Sequence, residues 1–243
     1  MLPFWIALQF LSSLPVSLPG MPTPRESGRS LLFYPAVGLL FGVILLGLNA
    51  LLAGTPDLLR AAIVLTAWVL LSGGLHLDGL ADSADAWLGG FGDRERTLSI
   101  MKDPRSGPIA VVTLVLVLLL KFTALVAMID SQASLALLLA PLAGRSAMLG
   151  LFLCTPYVRA GGLGQALADH LPRAAGQKIL AACALGCVLI AGVSGVYALA
   201  AAAACFIWLR HLMRKRLGGT TGDTAGAMLE LLETVVLLAM VLN

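Results

Sequence analysis

Long apolar runs alternate with short polar loops from one end of the chain to the other. The runs lie at Ser30 to Ala53, Asp57 to Leu77, Pro108 to Ile129, Ala133 to Thr155, Lys178 to Ser194, Gly195 to Leu209 and Ala225 to Leu242. A hydrocarbon layer about 30 Å thick takes about 20 apolar helical residues, so these runs predict membrane-crossing helices. Read as one helix, the stretch 178–209 would have 32 residues and reach about 48 Å, well beyond the layer, so a break near Ser194 and Gly195 is expected. The stretch from Met1 to Leu18 carries Pro3 and Pro15 and lacks a basic flank, which fits a short or interfacial helix better than a signal peptide. The pattern predicts an all-α, polytopic membrane bundle with seven spans plus the N-terminal helix, in a single domain over 1–243.

Composition agrees, with 59% hydrophobic and 12% charged residues, against a charged share of about 25% in soluble domains. A net charge of +3 gives no reason to expect a nucleic-acid partner. Cys154, Cys183, Cys187 and Cys205 fall in apolar stretches without CxxC spacing and read as small packing residues.

The placement of the basic residues says more than their number. Arg25 and Arg29, then Arg94, Arg96, Lys102 and Arg105, then Arg159, Arg173 and Lys178, then Arg210, Arg214, Lys215 and Arg216 fill four polar segments. Alternating the seven spans puts all four on one side, with only Arg60 opposite, and basic loops mark the cytoplasmic side. The same alternation places the polar end of the second span in the cytoplasm.

That end reads Gly73-Gly74-Leu75-His76-Leu77-Asp78-Gly79-Leu80-Ala81-Asp82-Ser83-Ala84-Asp85. On a helix, Asp78, Asp82 and Asp85 stand at i, i+4 and i+7 and share a face. Three such carboxylates repel one another unless a cation compensates, and their hard oxygens suit Mg²⁺. A water-facing helix end is the plainer alternative. His76, on roughly the opposite side, is a secondary candidate for proton transfer.

Two other segments carry candidate chemistry. Lys102 and Arg105 could hold phosphate oxygens, with Asp103 as a further acidic ligand. Gly218-Gly219-Thr220-Thr221-Gly222-Asp223-Thr224 runs into the last span, where free backbone N–H groups make an anion site and where Asp223 or Thr224 could equally be a simple N-cap. Glu230, seven residues after Asp223, is a carboxylate inside an apolar helix and so a candidate site residue. Lys121 and Arg145 also lie inside apolar runs, where Glu230 or Glu233 could neutralise them.

The motif at 73–85 closely resembles the signature of the cobalamin synthase family, the adenosylcobinamide-GDP ribazoletransferases. So do Tyr34-Pro35-Ala36-Val37-Gly38-Leu39, Ile100-Met101-Lys102-Asp103, Pro156-Tyr157-Val158-Arg159 with Gly162-Leu163-Gly164, and Thr221-Gly222-Asp223-Thr224 with Gly226-Ala227 and Glu230. These matches fall in family order and cover nearly the whole chain. The resemblance implies a multi-pass protein of the bacterial inner membrane that joins adenosylcobinamide-GDP to α-ribazole or its 5′-phosphate, releasing GMP. It implies Asp78 and Asp82 as Mg²⁺ ligands, Asp85 as third ligand or base, and Lys102 on phosphate. Asp103, Asp223 and Glu230 would complete the acidic pocket or orient the substrates, beside Arg105, Gly222 and Thr224, which the residue pattern already offers as anion-binding candidates. A CDP-alcohol phosphotransferase is the nearest alternative, but its motif needs an arginine soon after the alanine, and here Asp82 directly follows Ala81. A transporter with a path lined by Lys121, Arg145, Glu230 and Glu233 is an alternative of another class. Oligomeric state is left open, a homo-oligomer included.

Overall fold

A computed structural model describes residues 1–242. Its elements are α1 (Leu2–Leu11), α2 (Pro24–Ser30), a 3-10 turn (Leu31–Phe33), α3 (Tyr34–Leu51), α4 (Asp57–Ser72) and α5 (Leu75–Gly89), followed by α6 (Arg94–Ile100), α7 (Pro108–Asp130), α8 (Ala136–Cys154), α9 (Leu163–Asp169), α10 (Arg173–Leu217) and α11 (Gly222–Val241). No strand occurs among the described residues, apart from an isolated parallel bridge between Tyr157 and Thr220. Among the described residues five helices are long and apolar enough to cross a membrane, or six if the bent pair α4–α5 is one span.

The second expected span, Asp57 to Leu77, is not one straight helix. Gly73 and Gly74 take φ of 62° and 72°, and two successive left-handed residues are costly for anything but glycine. The chain therefore turns by 86° between α4 and α5, so the acidic motif becomes a helix of its own. Asp78 then sits in its first turn.

The expected break after Lys178 also has a definite place. α10 runs for 45 residues but is non-helical at Gly192 (φ 56°, ψ −129°). It folds back there. Arg173 Nη1 donates to Leu153 O at 2.6 Å, and Arg210 Nη2 donates to Cys154 O at 2.6 Å, so both ends of α10 reach the same end of α8. A straight helix would hold those two arginines about 55 Å apart. The seven crossings expected from the sequence require each arm of this hairpin to cross separately.

α11 is the most enclosed of the long helices, packed against α5, α7, α8 and α10. α3 packs closely on α8, because Gly38 and Gly42 let its backbone approach the chain around Leu138 and Pro141. The polar segments gather at one end of the bundle. Arg94 Nε donates to Leu217 O at 2.7 Å, and Arg216 donates to Thr97 Oγ1 at 3.0 Å and Trp87 O at 2.8 Å. This joins the α6 loop to the end of α10 and brings basic loops far apart in sequence to the same end.

Candidate active site

At that end a cavity of about 440 Å³ opens between the first turn of α5, the loop from α8 to α9 and the start of α11. Each wall is fixed by local chemistry. Thr221 caps α11, its Oγ1 accepting from Thr224 N at 3.2 Å while Thr224 Oγ1 accepts from Thr221 N at 2.9 Å. Thr221 is therefore the N-cap, and Thr224 is spent on the cap rather than on the cavity. Val158 N donates to Thr220 O at 2.9 Å and Thr220 N to Pro156 O at 2.8 Å, tying the Pro156–Arg159 segment to the start of α11. Arg159 then meets Asp223, with Nη1 2.8 Å from Oδ2.

α5 is seated on α11 at Gly79, where a Cβ would lie 2.8 Å from Asp223 O and 3.1 Å from its Cα. This contact brings the acidic motif against the Gly222-Asp223 turn. Asp78, Gly222 and Asp223 all line the cavity, and Asp82, one turn after Asp78 and half-buried, is within electrostatic reach of Asp78, Asp223 and Arg159. His76 also lines it, although it stands across the helix from Asp78, because the cavity wraps around the end of α5. The His76 side chain is buried, and neither ring nitrogen has a hydrogen-bond partner among the described residues. The remaining wall is apolar and aromatic: Phe10, Met148, Leu167, and Phe152 stacked on Tyr157 with ring centroids 6.0 Å apart. Burial pushes the Tyr157 hydroxyl above its usual range.

Other residues expected at the site are engaged elsewhere. Asp85 takes its two oxygens to the start of α7, accepting from Gly107 N at 2.5 Å and Ala110 N at 2.9 Å, so it serves as a cap instead of facing the cavity as ligand or base. Glu230 lies deeper in α11 than Asp223 and pairs with Lys121, Nζ to Oε2 being 2.5 Å, rather than entering the substrate pocket. Lys121 also reaches Glu233 at 2.7 Å, and Arg145 pairs with Glu233, so two cations and two carboxylates neutralise one another as expected. Lys121 lies over the Trp68 ring and Arg145 over Phe41. Lys102 is exposed and outside the cavity. Asp103 and Arg105 pair with each other, at 2.9 and 2.6 Å, and hydrogen bonds from Arg105 hold the Asp103 carboxyl down to about 2. Sequence reasoning uses Arg159 for orientation and within a family motif but does not name it as a site residue, although its place just before Gly161-Gly162 is a visible sign of an anion-binding turn.

No three His, Cys, Asp or Glu side chains among the described residues are grouped so as to hold a metal by themselves. Mg²⁺ seldom needs that, since it usually takes one or two carboxylates and completes its shell with water and substrate phosphate. Asp78, Asp82 and Asp223, hard oxygen donors with Arg159 as their nearby counter-charge, fit that requirement.

Fold and site together define a polytopic helical membrane protein with an acidic cavity, closed by an arginine, at its basic end. Compared with known proteins, residues 3–241 match the model of the family described as cobalamin-5-phosphate synthase, and the chain belongs to that family. It is 77% identical over 242 residues to the adenosylcobinamide-GDP ribazoletransferase of Pseudomonas fluorescens strain Pf-5, covering 100% of both chains. Proteins of the same name from Pseudomonas savastanoi pv. phaseolicola and Pseudomonas putida strain KT2440 are 75% and 72% identical, again over 100% of each chain. No solved structure matches.

Proposed function

We propose that the chain joins adenosylcobinamide-GDP to α-ribazole or its 5′-phosphate, giving adenosylcobalamin or its 5′-phosphate and GMP. Family membership and the name shared by the full-length relatives support this reading. The observation that carries it is the meeting of Asp78, Asp223 and Arg159 at one cavity with an aromatic wall, with Asp82 one helical turn away and within electrostatic reach of all three. A ribose hydroxyl of α-ribazole attacks the phosphorus nearest the aminopropanol arm. A new P–O bond forms, the bond to the bridging oxygen breaks, and GMP leaves with that electron pair. The hydroxyl proton passes to a cavity carboxylate.

Catalysis of this kind is mostly positioning and charge stabilisation. Arg159 supplies a planar set of donors for pyrophosphate oxygens. One or two of the carboxylates of Asp78, Asp82 and Asp223 would hold Mg²⁺, which would neutralise charge on those oxygens. The Phe152–Tyr157 stack offers a flat apolar surface to the ribazole base. At about 440 Å³ the cavity is at the smaller end of small-molecule sites, so the corrin ring stays outside while the phosphates and one nucleoside enter. The gathering of the basic loops at this end supports a cavity that faces the cytoplasm from the bacterial inner membrane. Purified protein in lipid vesicles, given adenosylcobinamide-GDP, α-ribazole and Mg²⁺, should release GMP. No GMP from folded protein would overturn the proposal.

A further inference from the structure

A second concavity, of about 470 Å³, lies away from the acidic cavity, between α8 and the two arms of the α10 hairpin. Its floor is made of small residues of α8, Ala143, Ala147 and Gly150. A Cβ on Gly150 would lie 3.6 Å from both Leu180 of the first arm and Phe206 of the second, so the two arms flank the floor at that point. The first arm contributes Gln177, Leu180, Ala184 and Cys187, at i, i+3, i+7 and i+10, and the second contributes Leu199, Ala202 and Phe206. From Gln177 to Cys187 the groove runs along ten helical residues, about 15 Å, which is half of a hydrocarbon layer about 30 Å thick. A groove of that depth matches one leaflet.

Each lining stripe leads to an arginine at the basic end. Arg173 stands one turn before Gln177, and Arg210 one turn after Phe206. The two are brought together on neighbouring carbonyls of α8, Arg173 on Leu153 O at 2.6 Å and Arg210 on Cys154 O at 2.6 Å, with Arg210 Nε also donating to Thr155 Oγ1 at 3.0 Å. A guanidinium has five N–H donors, so most of these donors remain for another acceptor. No ion pair with a carboxylate involves either arginine among the described residues. Two like charges held side by side without an anion, at the head of an apolar groove one leaflet deep, have the chemistry of a headgroup site and a tail site in one line.

We infer that this groove binds an anionic phospholipid, one acyl chain lying between the α10 arms on α8 and the phosphate on Arg173 and Arg210. The inference is independent of the reaction proposed above. It also accounts for the small residues of the groove, whose replacement by larger ones would fill the space the chain occupies.

Purified protein, reconstituted in nanodiscs of equal phosphatidylglycerol and phosphatidylcholine and released into native mass spectrometry, should keep phosphatidylglycerol in several-fold preference. Arg173→Gln should bring the two lipids close to parity. Ala184→Trp, which fills the groove and leaves both arginines in place, should remove retained lipid of either kind. Arg210→Gln also strips a partner from the end of α8, so it is compared only where circular dichroism shows unchanged helix content. Equal retention of the two lipids by the unaltered protein would overturn the inference. So would an undiminished preference in Arg173→Gln, undiminished lipid in Ala184→Trp, or efficient Cys183-to-Cys183 cross-linking between copies, which would assign the groove to a second chain.

Discussion

Arg159 and Asp223, 64 residues apart in sequence, form an ion pair at 2.8 Å inside the cavity, with side chains 28% and 18% exposed. The pair joins the α8–α9 loop to the first turn of α11 and holds the guanidinium where a pyrophosphate would need it. Half-buried, it is less screened than a surface pair, so a substrate phosphate entering there meets an oriented donor set at little further ordering cost.

Arg159→Ala should lower GMP release by about 10²–10³-fold, the usual effect of deleting one positioned donor to developing charge. Arg159→Lys keeps the charge but loses the planar fork and should fall between the two. Initial rates in proteoliposomes at matched protein amounts test this, and near-normal turnover by Arg159→Ala would remove the residue from the site.

Asp82 and Asp85, three residues apart on α5, should separate cleanly. Asp82→Asn removes a carboxylate from the cluster that would hold Mg²⁺, so activity should fall about a hundredfold or more while the fold is kept, since repulsion within the cluster is relieved. Asp85→Ala strips the cap from α7 and should cost about 1 kcal/mol of stability. Thermal unfolding in detergent and rate measurements on both variants should therefore rank them in opposite orders.

Lys121→Met leaves Glu230 and Glu233 buried with only Arg145 to balance them. Breaking a buried ion cluster by removing one partner costs about 3–5 kcal/mol, so folded protein in the membrane should drop sharply. Lys121→Met combined with Glu230→Gln removes one charge of each sign and should recover most of that loss. Membrane yield and melting temperature read the difference, and a single variant as stable as the parent would show that the cluster does not hold the bundle.

Gly79→Ala places a methyl group 2.8 Å from Asp223 O, so α5 has to move off α11. It should cost about 1–3 kcal/mol and lower activity as well. Gly47→Ala, in the middle of α3 with nothing within 4 Å of the new atom, should instead stabilise by about 0.5–1 kcal/mol. Denaturation curves of the two should shift in opposite directions.

Arg105→Gln should leave turnover within about twofold, because Arg105 is exposed, lies outside the cavity and, among the described residues, hydrogen-bonds through its side chain to Asp103 alone. A large loss would return the 102–105 loop to the phosphate-binding role that the family resemblance implies.

Much of this protein is determined locally. Runs of apolar residues long enough for a bilayer give the helices, and the 32-residue stretch at 178–209 is too long to be one crossing, so its break is legible in the order of residues alone. The side on which the basic loops gather follows from alternation, and the shared face of Asp78 and Asp82 follows from the helical period. The need of Lys121 and Arg145 for buried carboxylates follows from the cost of an unpaired charge in an apolar helix. What the period cannot say is which neighbour a face meets. Two left-handed glycines turn α5 by 86°, and that turn sends Asp78 to the cavity while Asp85, on the same face, reaches the free N–H groups of α7. Likewise Asp223 and Glu230 share a face of α11 but differ in depth, so one meets Arg159 and the other Lys121. These assignments, and the entry of Arg159 into the site, depend on contacts between segments 20 to more than 100 residues apart, which only the packing of the helices decides.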